Sequence, residues 1–198
     1  MTMDRFPFQV ECVAQTTGKV LNVGANEDPG GLRSTFADRV LNCDIRASNP
    51  DTGAEYPIDH LFDCANEVWP FPDDFAELVV LGDIIEHLWP RELWHCLSET
   101  KRVSEKVCIT VPEDDRIHTE EDYWDRYEGS PKGEYHCQLV TENYIRKALD
   151  ANGWDVEDFR TVDYGFVPKG YFILARRRSD GTLEDDLTAD KLEVGKSV

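Results

Sequence analysis

Apolar residues along this chain come in short runs, each ending at a polar or glycine-bearing break. The first is Val20-Leu21-Asn22-Val23, which gives way to Gly24-Ala25-Asn26 and a stretch rich in acid and glycine. Helical spacing resumes at Leu32 and Phe36. A buried strand, a tight turn and a helix in that order open a doubly wound α/β sheet. A second run, Val40 to Cys43, ends in Asp44, and Leu61 to Ala65 is expected as a short strand carrying Asp63. A fourth run, Leu78 to Leu81, leads into Gly82-Asp83-Ile84-Ile85-Glu86-His87. Leu93, Cys96, Leu97 and Thr100 recur at helical spacing, which predicts a sheet-facing helix ending near Lys101-Arg102-Val103. A fifth strand is expected over Val107 to Pro112. Thr141 reads as the cap of a helix with Tyr144, Ile145, Ala148 and Leu149 on one face and Gly153 as its stop. Val156 to Asp163 and Tyr171 to Arg176 are expected as a final antiparallel pair. Ahead of the first strand, Phe6, Phe8 and Val10 alternate, which predicts a short strand or edge packing. Residues 1–18 are expected to be too short for a helical cap ahead of that strand, so a ligand pocket is sought elsewhere.

The breaks carry the candidate chemistry. Gly24 falls where a ligand approaching the backbone would need a residue without Cβ. Asp44, at the tip of the second strand, is placed to accept from both hydroxyls of a ribose. Taken singly, such a glycine also reads as a plain turn and such an acid as a cap or solvated charge. The dinucleotide pattern G-x-G-x-x-G is absent, because the glycines after Gly24 are Gly30 and Gly31. Glu27 and Asp28 put negative charge where a pyrophosphate would need bare amides. That disfavours a nucleotide-dependent oxidoreductase and suits a cofactor with a ribose and a cationic centre, as in S-adenosylmethionine.

With these segments in order, the chain resembles the class I S-adenosylmethionine-dependent methyltransferases, in particular their small-molecule branch. The matching stretches are Val20-Leu-Asn-Val-Gly24, Asp44, Asp63-Cys-Ala65 with Trp69-Pro-Phe-Pro-Asp73, Asp83-Ile-Ile-Glu-His87, and the strand ending Val111-Pro112. They cover about residues 18 to 176. The resemblance implies a Rossmann-like seven-stranded sheet of order 3-2-1-4-5-7-6 with strand 7 antiparallel. It implies S-adenosylmethionine as cofactor, with Gly24 under the methionine part, Asp44 on the ribose, Asp63 near adenine and Asp83 near the sulfonium. Asn22, Ala25, Asn26, Ile45 and Cys64 complete the expected cofactor set. Asn22 stands where the family's first motif has an acid, and Asn26 where it has a second glycine; asparagine tolerates left-handed backbone. These two departures leave room for a second reading, a methyltransferase fold kept as a binding or scaffold protein without catalysis.

Residues 113–140 read as an acceptor lid or insert, since they leave the fifth strand at the sheet's carboxyl edge. His118, Tyr123, Trp124 and Tyr127 are the candidate acceptor-binding residues, although the aromatic rings equally suit pinning a long loop to the body. His87, Asp83 and His136 are the candidate catalytic residues, with Glu113 as a further possible base; histidine has the pKa best matched to neutrality. The D-P-P-Y or N-P-P-Y signature of enzymes that methylate nucleic-acid amino groups is missing after the fourth strand.

Composition narrows the class. The 198 residues carry 40 acids against 21 bases, a net charge of −19. A groove for a nucleic-acid backbone needs the opposite sign. A small-molecule or side-chain acceptor is therefore expected. With aspartate in excess of glutamate and arginine of lysine, the charge predicts a surface that self-repels at low salt, as in a high-salt cytoplasm. No apolar run approaches the ~20 residues of a membrane span. The six cysteines form no C-x-x-C, and Cys43 and Cys108, lying within strand runs, read as core residues in a reducing, cytoplasmic compartment; the five histidines show no ligand spacing, so no metal is expected. One domain is expected over 1–178, followed by an acidic, disordered tail over 179–198.

Overall fold

The computed structural model describes residues 5–25, 31–48, 53, 55, 57–116, 136–164 and 167–179. Among them run α1 (Arg5–Ala14), β1 (Val20–Val23), α2 (Leu32–Phe36), β2 (Val40–Asp44), β3 (His60–Leu61), β4 (Ala76–Gly82), a 3₁₀ turn (Ile85–His87), α3 (Pro90–Val103), β5 (Ser104–Pro112), α4 (Glu142–Ala151), β6 (Trp154–Val162) and β7 (Gly170–Arg177). The strands form one seven-stranded sheet in the order β3-β2-β1-β4-β5-β7-β6. All neighbours are parallel except β7, which is antiparallel to both β5 and β6. This is the Rossmann-like α/β architecture and strand order that the resemblance implied.

The continuous apolar runs are explained by burial on both faces, as parallel sheets require. Along β4, Leu78 and Val80 pack with Phe8, Cys12 and Val13 of α1, whereas Val79 and Leu81 pack with Leu93, Cys96 and Leu97 of α3. Thr141 caps α4 by accepting from the Tyr144 amide at 3.2 Å. Gly153 ends that helical segment at φ 74°, a conformation glycine adopts without steric cost.

Two expectations are corrected. The segment around Phe6, Phe8 and Val10 is not a strand, and the stretch ahead of β1 is not too short for a helix: it forms α1, whose buried residues Phe8, Gln9, Cys12 and Val13 recur at helical spacing. Every second residue of a short amphipathic helix can be apolar by chance, so alternation over five residues did not separate the two periods. The third strand is only His60–Leu61, and Phe62 to Ala65 leave the sheet. Asp63 accounts for this: its Oδ1 accepts the Ala65 amide at 2.8 Å, a side-chain turn that competes with strand pairing.

Candidate active site

The chain reverses its direction of travel across the sheet between β1 and β4, so the carboxyl ends of these neighbours form a crevice. Gly24 follows β1 at φ 73°, with its amide bound to the Cys43 carbonyl at 2.8 Å. A Cβ placed on it would lie 1.8 Å from Cδ1 of Ile84, so the close neighbour this glycine admits is the chain leaving β4. Ala25 is buried beside it. Asn22 turns toward β2, and its Nδ2 donates to Oδ1 of Asn42 at 3.1 Å.

Asp44 closes β2 with its residue 5% exposed, and its Oδ1 accepts the Arg46 amide at 3.0 Å. Beside it two apolar side chains face outward, Ile45 at 52% and Leu61 at 58% exposure. A buried carboxylate flanked by exposed aliphatic groups suits a ligand with one polar edge and one flat apolar face. Asp63 lies beyond, its Oδ2 accepting from Asn66 Nδ2 at 3.0 Å in the turn it organises. Cys64 is partly buried, and its thiol is raised well above its usual range by a hydrogen bond with Cys96 and by burial. Asn26 lies outside the described residues.

The other half of the crevice is dense with polar groups. Asp83 adopts φ 53° just after β4, and its amide donates to the Thr110 carbonyl at 2.9 Å. Its carboxylate pairs with Arg5 of α1, accepts from the Tyr164 hydroxyl, and lies 3.4 Å from the Thr110 hydroxyl. Gln9 of α1 donates to that same hydroxyl at 3.2 Å. Burial, with the charge of Glu86 nearby, holds the Tyr164 phenol well above its ordinary value. The buried Tyr164 is therefore a proton donor to Asp83.

Glu86 and His87 sit in the 3₁₀ turn that follows. The chain returning after the 117–135 segment is stitched to this turn: the Cys137 amide donates to the Glu86 carbonyl at 2.7 Å, and Gln138 Nε2 to the Ile85 carbonyl at 2.9 Å. These bonds set His136 edge-to-face against His87, with ring centroids 5.0 Å apart. Glu86, 2% exposed, places Oε1 3.9 Å from His87 Nε2. Asp114 backs His136, with Oδ2 3.3 Å from Nδ1. Its hydrogen bonds from Arg116, working against burial, hold its carboxyl down at about 2. Glu113 pairs with Lys169 at 3.0 Å.

The structure thus brings Asp83, His87 and His136 to one edge, and places Gly24, Ala25, Asp44, Ile45, Asp63 and Cys64 along the neighbouring strand ends. His118, Tyr123, Trp124 and Tyr127 lie outside the described residues. Sequence reasoning missed Arg5, Gln9, Glu86, Thr110, Asp114 and Tyr164. Glu86 had the one local signal, its place beside His87. The others come from elements distant in the chain, and Arg5 was hidden by reading α1 as a strand.

No family model matches the sequence, and no curated protein matches it. Solved structures do match in fold. A SAM-dependent methyltransferase from Methanosarcina mazei aligns with a TM-score of 0.61 at 14% identity, covering 90% of this chain and 99% of its own. A 1,6-didemethyltoxoflavin-N1-methyltransferase from Burkholderia thailandensis, solved with 1,6-didemethyltoxoflavin and S-adenosylhomocysteine, aligns with a TM-score of 0.62 at 13% identity over 88% of this chain and 78% of its own. The magnesium protoporphyrin IX methyltransferase of Synechocystis, solved with bound SAM, aligns with a TM-score of 0.53 at 14% identity over 85% and 74%. At these identities the likeness shows the fold, a class I methyltransferase-like sheet. Among the described residues no helix is long and apolar enough to cross a membrane.

Proposed function

We propose that this chain is an S-adenosylmethionine-dependent methyltransferase acting on a small molecule, sugar, lipid precursor or protein side chain. The observation that carries the reading is one sheet edge. There, Gly24 and Asp44 end adjacent strands and face, across the β1–β4 crevice, a cluster of Asp83, His87 and His136. When bound, S-adenosylmethionine supplies an electrophilic methyl group on a sulfonium. The half of the crevice made by β1 and β2 fits it: Asp44 would hold the ribose, Ile45 and Leu61 offer exposed apolar surface to adenine, and the turn at Gly24 would lie under the methionine part. In the sequence, Glu27 and Asp28 shortly after Gly24 suit a cationic cofactor and disfavour a pyrophosphate.

The remaining half presents the acceptor. Asp83 is fixed by Arg5, Tyr164 and Thr110 and so forms a rigid negative wall. His87 and His136 stand where the acceptor's nucleophilic atom would be oriented and its proton steered, and positioning supplies much of the rate in such displacements. His118, Tyr123, Trp124 and Tyr127 are kept as the proposed acceptor wall. The single domain over 1–178, the high-salt cytoplasmic setting and the absence of a nucleic-acid partner belong to the same reading, supported by the net charge of −19. The test is incubation of the chain in molar salt with methyl-labelled S-adenosylmethionine and fractionated cell extract. Label transferred to one acceptor by the native chain, and not by His87→Ala, is the expected result.

A further inference from the structure

The fold brings together two imidazoles and a carboxylate that the sequence keeps apart. One donor atom each from Glu86, His87 and His136 lies within 4.8 Å of the other two. Metal bonds of about 2.0–2.2 Å in tetrahedral geometry set ligand atoms about 3–3.5 Å apart, so small side-chain rotations would close the three onto one ion. We propose that Glu86, His87 and His136 form a binding site for a divalent first-row transition ion, Zn2+ being the simplest probe, with an open position that takes an oxygen atom of the acceptor. The acceptor half of this inference rests on the methyltransferase reading above; the metal half does not.

Two further features favour an ion here over a plain polar cluster. Asp114, 3% exposed, sits 3.3 Å from Nδ1 of His136. A carboxylate on one ring nitrogen fixes the tautomer and leaves Nε2 as the donor, the usual outer-sphere support of a metal-bound histidine. The ligands are also pre-positioned, because the bonds from the Cys137 amide to the Glu86 carbonyl and from the Gln138 side chain to the Ile85 carbonyl tie the His136 segment to the turn carrying the other two.

Two imidazoles and one carboxylate suit zinc, cobalt, iron or manganese better than magnesium or calcium, which prefer all-oxygen shells. Three protein ligands leave a fourth position open, the pattern of a reactive site rather than a structural one. A hydroxyl or phenol bound there is a stronger acid than in water. This would select oxygen acceptors, with the imidazoles acting through the ion rather than as free bases.

The test uses the untagged full chain, stripped with chelator and held in molar KCl so that surface acids do not bind divalent ions appreciably. Titration with Zn2+ should show one tight site per chain. Glu86→Gln and His136→Asn should each weaken it by at least 100-fold while the metal-free circular dichroism stays native. Asp114→Asn should weaken it 10- to 100-fold with unchanged stoichiometry. If a variant fails to fold, Co2+ added to the native chain decides: an intense visible band of a four- or five-coordinate imidazole site supports the proposal. A weak, water-like six-coordinate spectrum, or Zn2+ binding unaffected in folded variants, overturns it. S-adenosylmethionine is titrated separately. Metal binding without cofactor binding would sink the methyltransferase reading alone, and the converse would sink the metal site alone.

Discussion

The side chain of Ile84 stands directly over Gly24, so a Cβ on that glycine would lie 1.8 Å from Ile84 Cδ1. Gly24 also holds φ 73°. Gly24→Ala should therefore destabilise the chain by about 2–4 kcal/mol, combining left-handed strain with overpacking. Gly24→Ala with Ile84→Ala should recover part of this loss, because only the steric share can be relieved. Equal stability of the single and double variants in denaturant titrations would mean that Ile84 does not limit the turn.

Replacing either imidazole should separate reaction from cofactor binding. His87→Ala and His136→Ala are expected to leave S-adenosylmethionine affinity within about threefold of native and to lower turnover by at least 10²-fold, the usual worth of a positioned acid–base or ligand group. Both side chains lie at the ends of β4 and β5, away from Asp44. A parallel loss of cofactor affinity would assign them to the cofactor side instead.

Much of the fold was legible because parallel strands buried on both faces leave unmistakable apolar runs, as at Val20–Val23 and Leu78–Leu81. The strand ends that follow, Gly24, Asp44 and Asp83, were legible for the same reason. What escaped was whatever depends on meeting across the fold. Tyr164 and Asp114 sit in stretches without period and become meaningful only because Asp83 and His136 lie beside them. Helix α1 was misread because the alternation of Phe6, Phe8 and Val10 masked the helical stripe of Phe8, Cys12 and Val13, and with it Arg5 and Gln9 were lost. Histidine spacing likewise said nothing of His87 and His136, whose closeness is set by bonds from the Cys137 amide and the Gln138 side chain to the Glu86 and Ile85 carbonyls.

Glu99 supplies a stability test away from the crevice. Its carboxylate accepts the Trp69 amide at 2.8 Å and Arg102 Nη2 at 2.7 Å, pinning the Trp69 loop to α3. Burial alone would raise this acid, but the Arg102 and Trp69 hydrogen bonds outweigh it and hold the group below its ordinary value. A depressed carboxylate stabilises the fold above the unfolded-state pKa and loses that contribution as pH falls through the folded one. Glu99→Gln should cost about 1.5–3 kcal/mol at neutral pH. The gap to native should narrow as pH falls below the ordinary carboxylate range, and a gap that stays constant with pH would refute the ionic origin.

The net charge of −19 predicts a salt response. Surface repulsion is screened within about 3 Å at 1 M salt against about 10 Å at 0.1 M. The thermal midpoint should therefore rise between those concentrations of KCl. A midpoint indifferent to salt would remove the high-salt setting from the account.

The most direct measurement is calorimetric titration of S-adenosylmethionine into the native chain and into Asp44→Ala, both in molar salt. Asp44 is buried at the end of β2 and is the group assigned to the ribose. The account predicts one equivalent bound by the native chain. It predicts a loss of about 1–3 kcal/mol in Asp44→Ala, roughly 5- to 150-fold in affinity, with the fold retained. No binding by the native chain, or equal affinity in the two, would contradict it.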